Sequence, residues 1–156
     1  MRYLIVGCGC RGLALARVLT DAGHVVRGTT RDPDRVPVLA AAGVEPVVAD
    51  PDRVGTLVPS LERVGAVCLL LGSADSEVLH GPRLEMLLTK LIDTTVHGVV
   101  YESAGSARAE LLARGAELVR TACERSHISY SVLQGDAADH AAWLAEAADA
   151  AETISR

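Results

Sequence analysis

The chain alternates short apolar runs, rich in β-branched residues, with longer segments in which apolar residues recur at helical spacing. Repeated alternation of this kind is the sequence signature of strand–helix–strand units that build a parallel sheet. Six runs are predicted strands, and the intervals between them leave room for one helix each: residues 3–6, 25–29, 45–49, 66–71, 98–102 and 128–133. The pattern therefore predicts an α/β fold of the Rossmann type, with a doubly wound parallel sheet of about six strands in a three-layer αβα arrangement.

The intervals between the predicted strands carry helix start and stop signals. Asp32-Pro33 and Asp50-Pro51 each place an acidic N-cap candidate before a proline suited to the first helical position. Gly23 is the expected left-handed residue after the first helix, and Gly115 is a candidate break within a later one. The helices predicted after the first one, which covers about 13–22, span 53–62, 82–92, 107–124 and 137–154.

The first predicted strand runs directly into the turn Gly7-Cys8-Gly9-Cys10-Arg11-Gly12, and a predicted helix follows. In this context the G-x-G-x-x-G pattern is typical of a dinucleotide site. Gly7 permits the tight turn, Gly9 lets the backbone approach a pyrophosphate, and Gly12 allows the helix to pack closely on the strand. The helix N-terminus then faces the phosphates. We expect Gly7, Gly9, Cys10, Arg11 and Gly12 to hold the pyrophosphate.

The end of the second strand indicates which dinucleotide is preferred. An NAD site normally has Asp or Glu there to bind the ribose 2′-hydroxyl, whereas this chain has Thr29-Thr30-Arg31. A guanidinium beside hydroxyl groups suits a 2′-phosphate, which a carboxylate would repel. Asp32 is close enough to compete for the ribose, although its place before Pro33 favours N-capping. The sequence thus favours NADP(H), bound through Thr30 and Arg31, over NAD(H).

Further candidate residues follow the later strands, at the same predicted edge of the sheet. Asp50 follows the third strand and is either a ligand of the adenine amino group or a helix cap. Gly72 and Ser73 follow the fourth strand, where small residues would let the cofactor ribose approach the backbone. Ser103 follows the fifth strand, near the expected nicotinamide end, and is a catalytic candidate. Its alternative role is in an ordinary loop that is capped by serine.

Composition and charge exclude several classes of protein. The chain has 156 residues, of which 49% are hydrophobic and 22% charged, and this predicts one ordered domain covering 1–156. Only 3% are aromatic and none is Phe, so the core must be aliphatic. The net charge of −5, without a basic run, disfavours nucleic-acid binding. No apolar run reaches membrane-spanning length and the N-terminus does not resemble a signal peptide, so we expect a cytoplasmic protein without a membrane partner.

The residues quoted so far also carry a family resemblance. The run 4–16, with Gly23-His24-Val25 and Thr30-Arg31-Asp32-Pro33 after it, resembles an atypical short-chain dehydrogenase/reductase, and more narrowly the epimerase/dehydratase-like and NmrA-like members. In the resemblance, Val99-Val100-Tyr101-Glu102-Ser103 corresponds to the fifth strand and 128–134 to the sixth. It implies a Rossmann fold that binds NAD(P) and an oxidoreductase or epimerase-like activity, with Ser103 in the place of the family's serine.

The resemblance fails at the catalytic residues. Active members of the family use a Tyr-x-x-x-Lys pair, in which the lysine lowers the pKa of the tyrosine for acid–base catalysis. In this chain Gly105 follows Tyr101 at that spacing, Gln134 follows Tyr130, and Lys90 is the only lysine. Two interpretations therefore stay open. One is an oxidoreductase that acts on an unknown carbonyl substrate, and the other is a non-catalytic dinucleotide-sensing or interaction module.

Other potentially reactive residues suggest no metal or disulfide chemistry. Cys8 and Cys10 lack the additional ligands that a tetrahedral metal site needs, and the spacing of the four cysteines predicts free thiols. His80 and His97 flank the helix after the fourth strand and are weak candidates for cleft residues that titrate near neutrality. The Ala-rich segment around Trp143 predicts a terminal helix that either covers the sheet or forms a homodimer contact.

Overall fold

The computed structural model describes residues 1–156 and contains one six-stranded sheet. Every pair of neighbouring strands is parallel, and the order across the sheet is β3-β2-β1-β4-β5-β6. This is the strand order of the doubly wound Rossmann fold, with the topological switch point between β1 and β4. The predicted fold class is therefore confirmed. The strands are β1 (Arg2–Val6), β2 (Val25–Thr30), β3 (Glu45–Val48), β4 (Ala66–Leu69), β5 (Gly98–Glu102) and β6 (Ser129–Leu133).

Helices cover both faces of the sheet. The helices are α1 (Cys10–Asp21), α2 (Val36–Ala41), α3 (Val54–Leu57), α4 (Pro82–Leu91), α5 (Ala109–Ser126) and α6 (His140–Ile154). Successive side chains of a strand point to opposite sides of the sheet, so each strand contacts helices on both faces. On β1, Tyr3 and Ile5 pack with α1, α2 and α6, whereas Leu4 and Val6 pack with α3, α4 and α5. Burial on both faces explains the continuous apolar runs in β1 and β4.

The helix signals in the sequence are partly confirmed. Gly23 follows α1 with φ of +92°, as expected for its left-handed position. The carboxylate of Asp32 accepts the backbone N–H of Asp34 at 2.9 Å and caps a 3₁₀ turn, Pro33–Arg35, that leads into α2. The last helix begins three residues later than predicted, at His140, because the side chain of Asp139 caps it by accepting the N–H of Ala142.

The prediction of one helix over 53–62 is wrong. Helix α3 is a single turn that begins at Val54, and a 3₁₀ turn, Val58–Leu61, follows it. Pro59 explains the change, because it has no N–H with which to continue the α-helical pattern. Asp50 does not cap α3. Its carboxylate accepts the N–H of Asp52 at 2.9 Å in the turn that precedes the helix.

The predicted break at Gly115 is also wrong, since α5 is continuous from Ala109 to Ser126. Glycine occupies this position for a packing reason. A Cβ atom built on Gly115 would lie 2.5 Å from Cζ of the buried Tyr101 side chain and closer still to its hydroxyl oxygen. Only a residue without a side chain lets α5 approach β5 so closely. Neither α5 nor any other helix is long and apolar enough to cross a membrane.

Candidate functional site

The main cleft lies at the carboxyl edge of the sheet, beside the switch point between β1 and β4. In open α/β sheets this crevice is where ligands bind. The cleft has a volume of ≈ 650 Å³, and loops that follow β1, β2, β3 and β4 surround it. Its lining includes the following sequence-predicted residues: Gly7, Gly9, Cys10, Arg11, Gly12, Thr30, Arg31 and Ser73.

The glycine turn forms one wall of the cleft with exposed backbone. Gly7 has φ of +84°, and a Cβ atom there would lie 2.6 Å from the carbonyl oxygen of Leu70, so this position requires glycine. Gly9 has no atom within 4 Å of where its Cβ would be, and it faces the cleft. A Cβ on Gly12 would lie 3.2 Å from the Gly7 carbonyl oxygen, at the close crossing of α1 over β1. The turn therefore leaves room for a ligand directly against the backbone of Gly9.

Helix α1 begins at Cys10 and points its N-terminus towards this space. The first N–H groups of a helix have no partner within the helix, and the helix dipole favours an anion there. No acidic residue occupies the first turn of α1 to compete for that place. The exposed glycine backbone and the helix N-terminus together suit a pyrophosphate group.

Two arginines line the cleft at the end of β2. Arg31 follows the strand directly, and Arg35 lies at the end of the 3₁₀ turn. Neither guanidinium makes a hydrogen bond or an ion pair within the protein. The two threonine hydroxyls, in contrast, are already used. That of Thr29 accepts the N–H of Gly7 at 3.3 Å, and that of Thr30 bonds with the backbone of Asp32. The two guanidinium groups are thus the charged groups without an internal partner at this end of the cleft.

Arg11 has a different environment, because it forms an ion pair with Glu102. Glu102 ends β5 and has no exposed surface, whereas the side chain of Arg11 remains 25% exposed. The same carboxylate accepts the N–H of Gly72 at 2.8 Å and the indole N–H of Trp143 at 2.9 Å. The guanidinium carbon of Arg11 also lies 5.3 Å from the centre of the Trp143 ring, within the range of cation–π attraction.

Three candidates from the sequence do not line the cleft. Asp50 lies between two lining residues, Ala49 and Pro51, but its carboxylate is used in the turn described above. Gly72 lies one residue before the lining residue Ser73 and is buried against Glu102. Ser103 donates its hydroxyl hydrogen to the carbonyl oxygen of Leu133 at 2.9 Å, so it ties β5 to β6.

The loop between β4 and α4 forms the opposite wall, and His80 holds it in place. His80 is buried. Its Nε2 lies 2.7 Å from the carbonyl oxygen of Ala74, and its Nδ1 lies 2.6 Å from the hydroxyl of Tyr101. Since a carbonyl only accepts, Nε2 donates a hydrogen to Ala74, and Nδ1 is placed to accept the hydroxyl hydrogen of Tyr101. Burial, and secondarily the charge of Glu102, raise the pKa of Tyr101 well above its ordinary value, so this tyrosine stays neutral as the donor.

At the outer end of this loop, Asp75 adds a negative charge to the cleft and is held by Arg108. The backbone N–H and the guanidinium of Arg108 both donate to the carboxylate, at 3.1 and 3.0 Å. These bonds lower the pKa of Asp75, so it is ionised near neutrality. The cleft therefore has a positive end at Arg31 and Arg35 and a negative residue at the opposite wall.

All four cysteines are free thiols. Burial raises the pKa of Cys8 to about 11, so its thiol is protonated and unreactive. Cys10 is exposed at the start of α1 and lines the cleft. No group of three or more His, Cys, Asp or Glu side chains is arranged to hold a metal ion.

Each of the three tyrosine hydroxyls has a partner within the protein. That of Tyr3 donates to the carbonyl oxygen of Ala151, that of Tyr101 bonds with His80, and that of Tyr130 donates to Glu124. None of these tyrosines lines the cleft. The cleft thus has groups that suit binding of an anionic dinucleotide, and it has no tyrosine that could act as a catalytic acid.

No protein-family model matches the sequence, and no curated protein matches it at the level of sequence. Solved structures, however, share its fold. The chain is similar to an NADPH-dependent quinone oxidoreductase from Escherichia coli, with a TM-score of 0.68 and 20% identity over 99% of this chain and 64% of that one. The triphenylmethane reductase of Citrobacter sp., complexed with NADP(H), gives a TM-score of 0.70 and 20% identity over 86% of this chain and 49% of that one.

A UDP-glucuronic acid 4-epimerase from Bacillus cereus, in complex with NAD, gives a TM-score of 0.70 and 15% identity over 87% of this chain and 56% of that one. The neighbours in fold are thus reductases and epimerases of the Rossmann type, as the resemblance in the sequence suggested. The chain spans about half to two thirds of the length of these three proteins.

Sequence reasoning missed two features of the site. The first is Arg35, which lines the cleft with Arg31; the Asp32-Pro33 signal places it in the first turn after the strand, close to the same edge. The second is the buried carboxylate of Glu102 with its partners Arg11 and Trp143. No local pattern signals this group, because its members lie far apart in the sequence.

Proposed function

We propose that the protein binds a nicotinamide adenine dinucleotide in the cleft and prefers NADP(H) to NAD(H). The observation that carries the preference is the pair Arg31 and Arg35, two guanidinium groups without internal partners at the end of β2. An NAD site would have an acidic residue there to accept from the 2′-hydroxyl. A 2′-phosphate instead matches two cationic groups that supply several N–H donors.

The remainder of the cleft supports the same ligand. The exposed backbone at Gly9 and the N-terminus of α1 suit the pyrophosphate, and Arg11 lines the cleft beside them. The volume of ≈ 650 Å³ lies within the range of ordinary cofactor sites. The bound cofactor would supply the hydride chemistry, and the residues of this chain would bind and orient it. The NADP(H) and NAD complexes among the fold neighbours agree with this assignment.

Calorimetric titration with NADPH and with NADH tests the proposal. We expect NADPH to bind more tightly, and Arg31→Ala and Arg35→Ala each to weaken NADPH binding about tenfold or more, because each removes a charge-assisted contact. NADH binding should change less than about threefold, since NADH lacks the phosphate. Arg17→Ala is the matched control, as Arg17 is exposed on α1 outside the cleft. Failure of both nucleotides to bind, or an equal effect on both, would overturn the proposal.

For the activity we propose oxidoreductase chemistry of the kind found among the fold neighbours, with a carbonyl compound as the substrate class. A turnover screen that follows NADPH oxidation with a panel of aldehydes, ketones and quinones tests this activity. Oxidation above the background without enzyme, and loss of that oxidation in Arg31→Ala at limiting NADPH, is the expected result. Turnover at the background rate throughout would contradict it.

One observation favours a second candidate, a non-catalytic module that senses the dinucleotide. The hydroxyls of Tyr3, Tyr101 and Tyr130 all have internal partners and lie outside the cleft, and the chain has no Tyr-x-x-x-Lys pair. For a sensor we expect NADPH to bind without turnover and to change which proteins are recovered in a pull-down. Identical recovery with and without NADPH would contradict a sensing role.

A further inference from the structure

A single buried carboxylate, that of Glu102, joins three segments around the cleft. It pairs with Arg11 from the glycine turn, accepts the N–H of Gly72 from the loop after β4, and accepts the indole N–H of Trp143 from α6. The three partners lie 91, 30 and 41 residues away from Glu102 along the chain. A buried charge with this many donors is fully satisfied, and it fixes the position of each group that donates to it.

Arg11 faces both this carboxylate and the cleft. Its side chain is 25% exposed and lines the cleft, while one of its terminal nitrogens binds Glu102. The guanidinium has five N–H donors in a rigid plane, and the ion pair with Glu102 is its only hydrogen bond within the protein. Several donors therefore remain for a ligand, and the plane that carries them is held by Glu102 and by the neighbouring Trp143 ring.

We infer that Glu102 is a positioning residue for the dinucleotide, holding Arg11 so that its remaining N–H donors meet the pyrophosphate. The inference rests on the proposed function. A free arginine side chain loses rotamer freedom when it binds a ligand, and an arginine that is already held in place does not. Glu102 itself touches no ligand, because it has no exposed surface and lies outside the cleft. Its effect on binding therefore acts through the groups that it holds, and among these only Arg11 lines the cleft.

The direction in which Glu102→Gln changes NADPH affinity distinguishes this positioning role from a purely electrostatic one. The negative charge of Glu102 lies behind Arg11 and opposes the binding of any anion in the cleft. If that repulsion dominated, Glu102→Gln would tighten NADPH binding. If positioning dominates, Glu102→Gln weakens it, because glutamine has no charge to hold Arg11 and has one acceptor oxygen where Glu102 uses two, one for Arg11 and Trp143 and the other for Gly72. We expect weakening.

A double-mutant cycle on NADPH affinity tests the inference. We expect Arg11→Met to weaken binding about tenfold, since it removes a charge-assisted contact, and Glu102→Gln to weaken it about fivefold. In the Arg11→Met background, Glu102→Gln should then change the affinity less than about twofold, because the residue that it positions is gone. Glu152→Gln is the matched control. Glu152 is also a carboxylate with a side-chain partner, since its Oε1 lies 2.9 Å from Nε2 of His24, and it lies outside the cleft.

The outcomes are distinguishable. Wild-type protein that binds neither nucleotide overturns the proposed function and this inference together. Normal wild-type binding with multiplicative effects of the two substitutions, or tighter binding by Glu102→Gln, overturns the inference alone. A lowered binding stoichiometry with an unchanged Kd in Glu102→Gln also overturns it, since this result would mean that Glu102 only maintains the fold.

A second measurement avoids substitution of the buried acid. Trp143 is the only tryptophan, so its fluorescence reports on Arg11, which lies over its ring. We expect saturating NADP⁺ to change the emission of the wild-type protein. The change should be absent in Arg11→Met at NADP⁺ concentrations that still saturate that variant. The same emission change with and without Arg11 would contradict a contact between Arg11 and the bound dinucleotide, and the inference depends on that contact.

Discussion

Replacing Gly115 with alanine would place a methyl group where the ring of Tyr101 already lies. An exposed helical Gly→Ala change gains up to about 1 kcal/mol of stability. Here the new Cβ would be 2.5 Å from Cζ of Tyr101, and overpacking of a core costs about 1–3 kcal/mol. If the ring moves away, it breaks the 2.6 Å bond to His80, and buried polar groups without a partner cost about 1–3 kcal/mol more. The net expectation is a loss of about 2–3 kcal/mol.

Urea unfolding and thermal denaturation test this prediction, and the loss corresponds to a fall in Tm of about 4–12 °C for a chain of this size. Gly55→Ala in α3 is the control, because a Cβ there meets no atom within 4 Å; we expect it to be neutral or stabilising by up to about 1 kcal/mol. Tyr101→Phe removes the nearest oxygen and should reduce the cost of Gly115→Ala by at least about 1 kcal/mol. Equal or greater stability of Gly115→Ala alone would refute the reasoning.

Three further predictions concern the buried charge and the thiols. Arg11→Met should lower the free energy of unfolding by about 2–3 kcal/mol in urea titrations, because it leaves a buried carboxylate without its cation. Adding Glu102→Gln removes that buried charge and should recover part of the lost stability. No recovery in the double variant would contradict the argument. Ellman's reagent should modify one thiol per native chain, that of the exposed Cys10, and four thiols per chain in urea. NADPH should slow the reaction of the native protein. Two or more fast-reacting thiols in the native protein would contradict this prediction. Burial raises the pKa of Cys8 to about 11 and that of Cys68 to about 12, from the ordinary 9.0. Above pH 9 the unfolded thiols therefore lose protons that the folded ones keep, and stability should fall by up to about 1.4 kcal/mol per pH unit for each thiol until its folded pKa is reached. Urea titrations at pH 8, 9 and 10 should show a shallower loss in Cys68→Ala, and an unchanged slope would count against burial as the cause.

The sequence was sufficient to predict the parallel sheet, because burial on both faces of β1 and β4 produces continuous apolar runs that are visible without a structure. The glycine turn was predictable for a similar reason. Gly7 has φ of +84°, which side chains rarely adopt, and a Cβ on Gly12 would lie only 3.2 Å from the Gly7 carbonyl oxygen, so a local steric requirement leaves a local signature. Each of these features leaves a pattern in residues that are close together in the chain.

The rest depends on contacts between distant residues. Gly115 looks like a helix breaker in isolation, and only the position of Tyr101 on a neighbouring strand explains it. Glu102 looks like an ordinary polar residue at the end of a strand, and its complete burial depends on Arg11 and Trp143. The early end of α3 is different, since Pro59 is visible in the sequence and its missing N–H was sufficient reason to shorten the predicted helix.

Strand β3 affects the tendency of this protein to aggregate through the edge of its sheet. It is an outermost strand of the sheet, four residues long, and it contains Pro46. An outermost strand is a template on which another chain could add its own strand, and such growth is a common route to aggregates. A proline there removes one of the N–H groups that an incoming strand would need, and four residues provide few others. Replacing Pro46 with a β-branched residue would supply the missing N–H group and should increase aggregation. This position therefore affects solubility, and it lies outside the cleft.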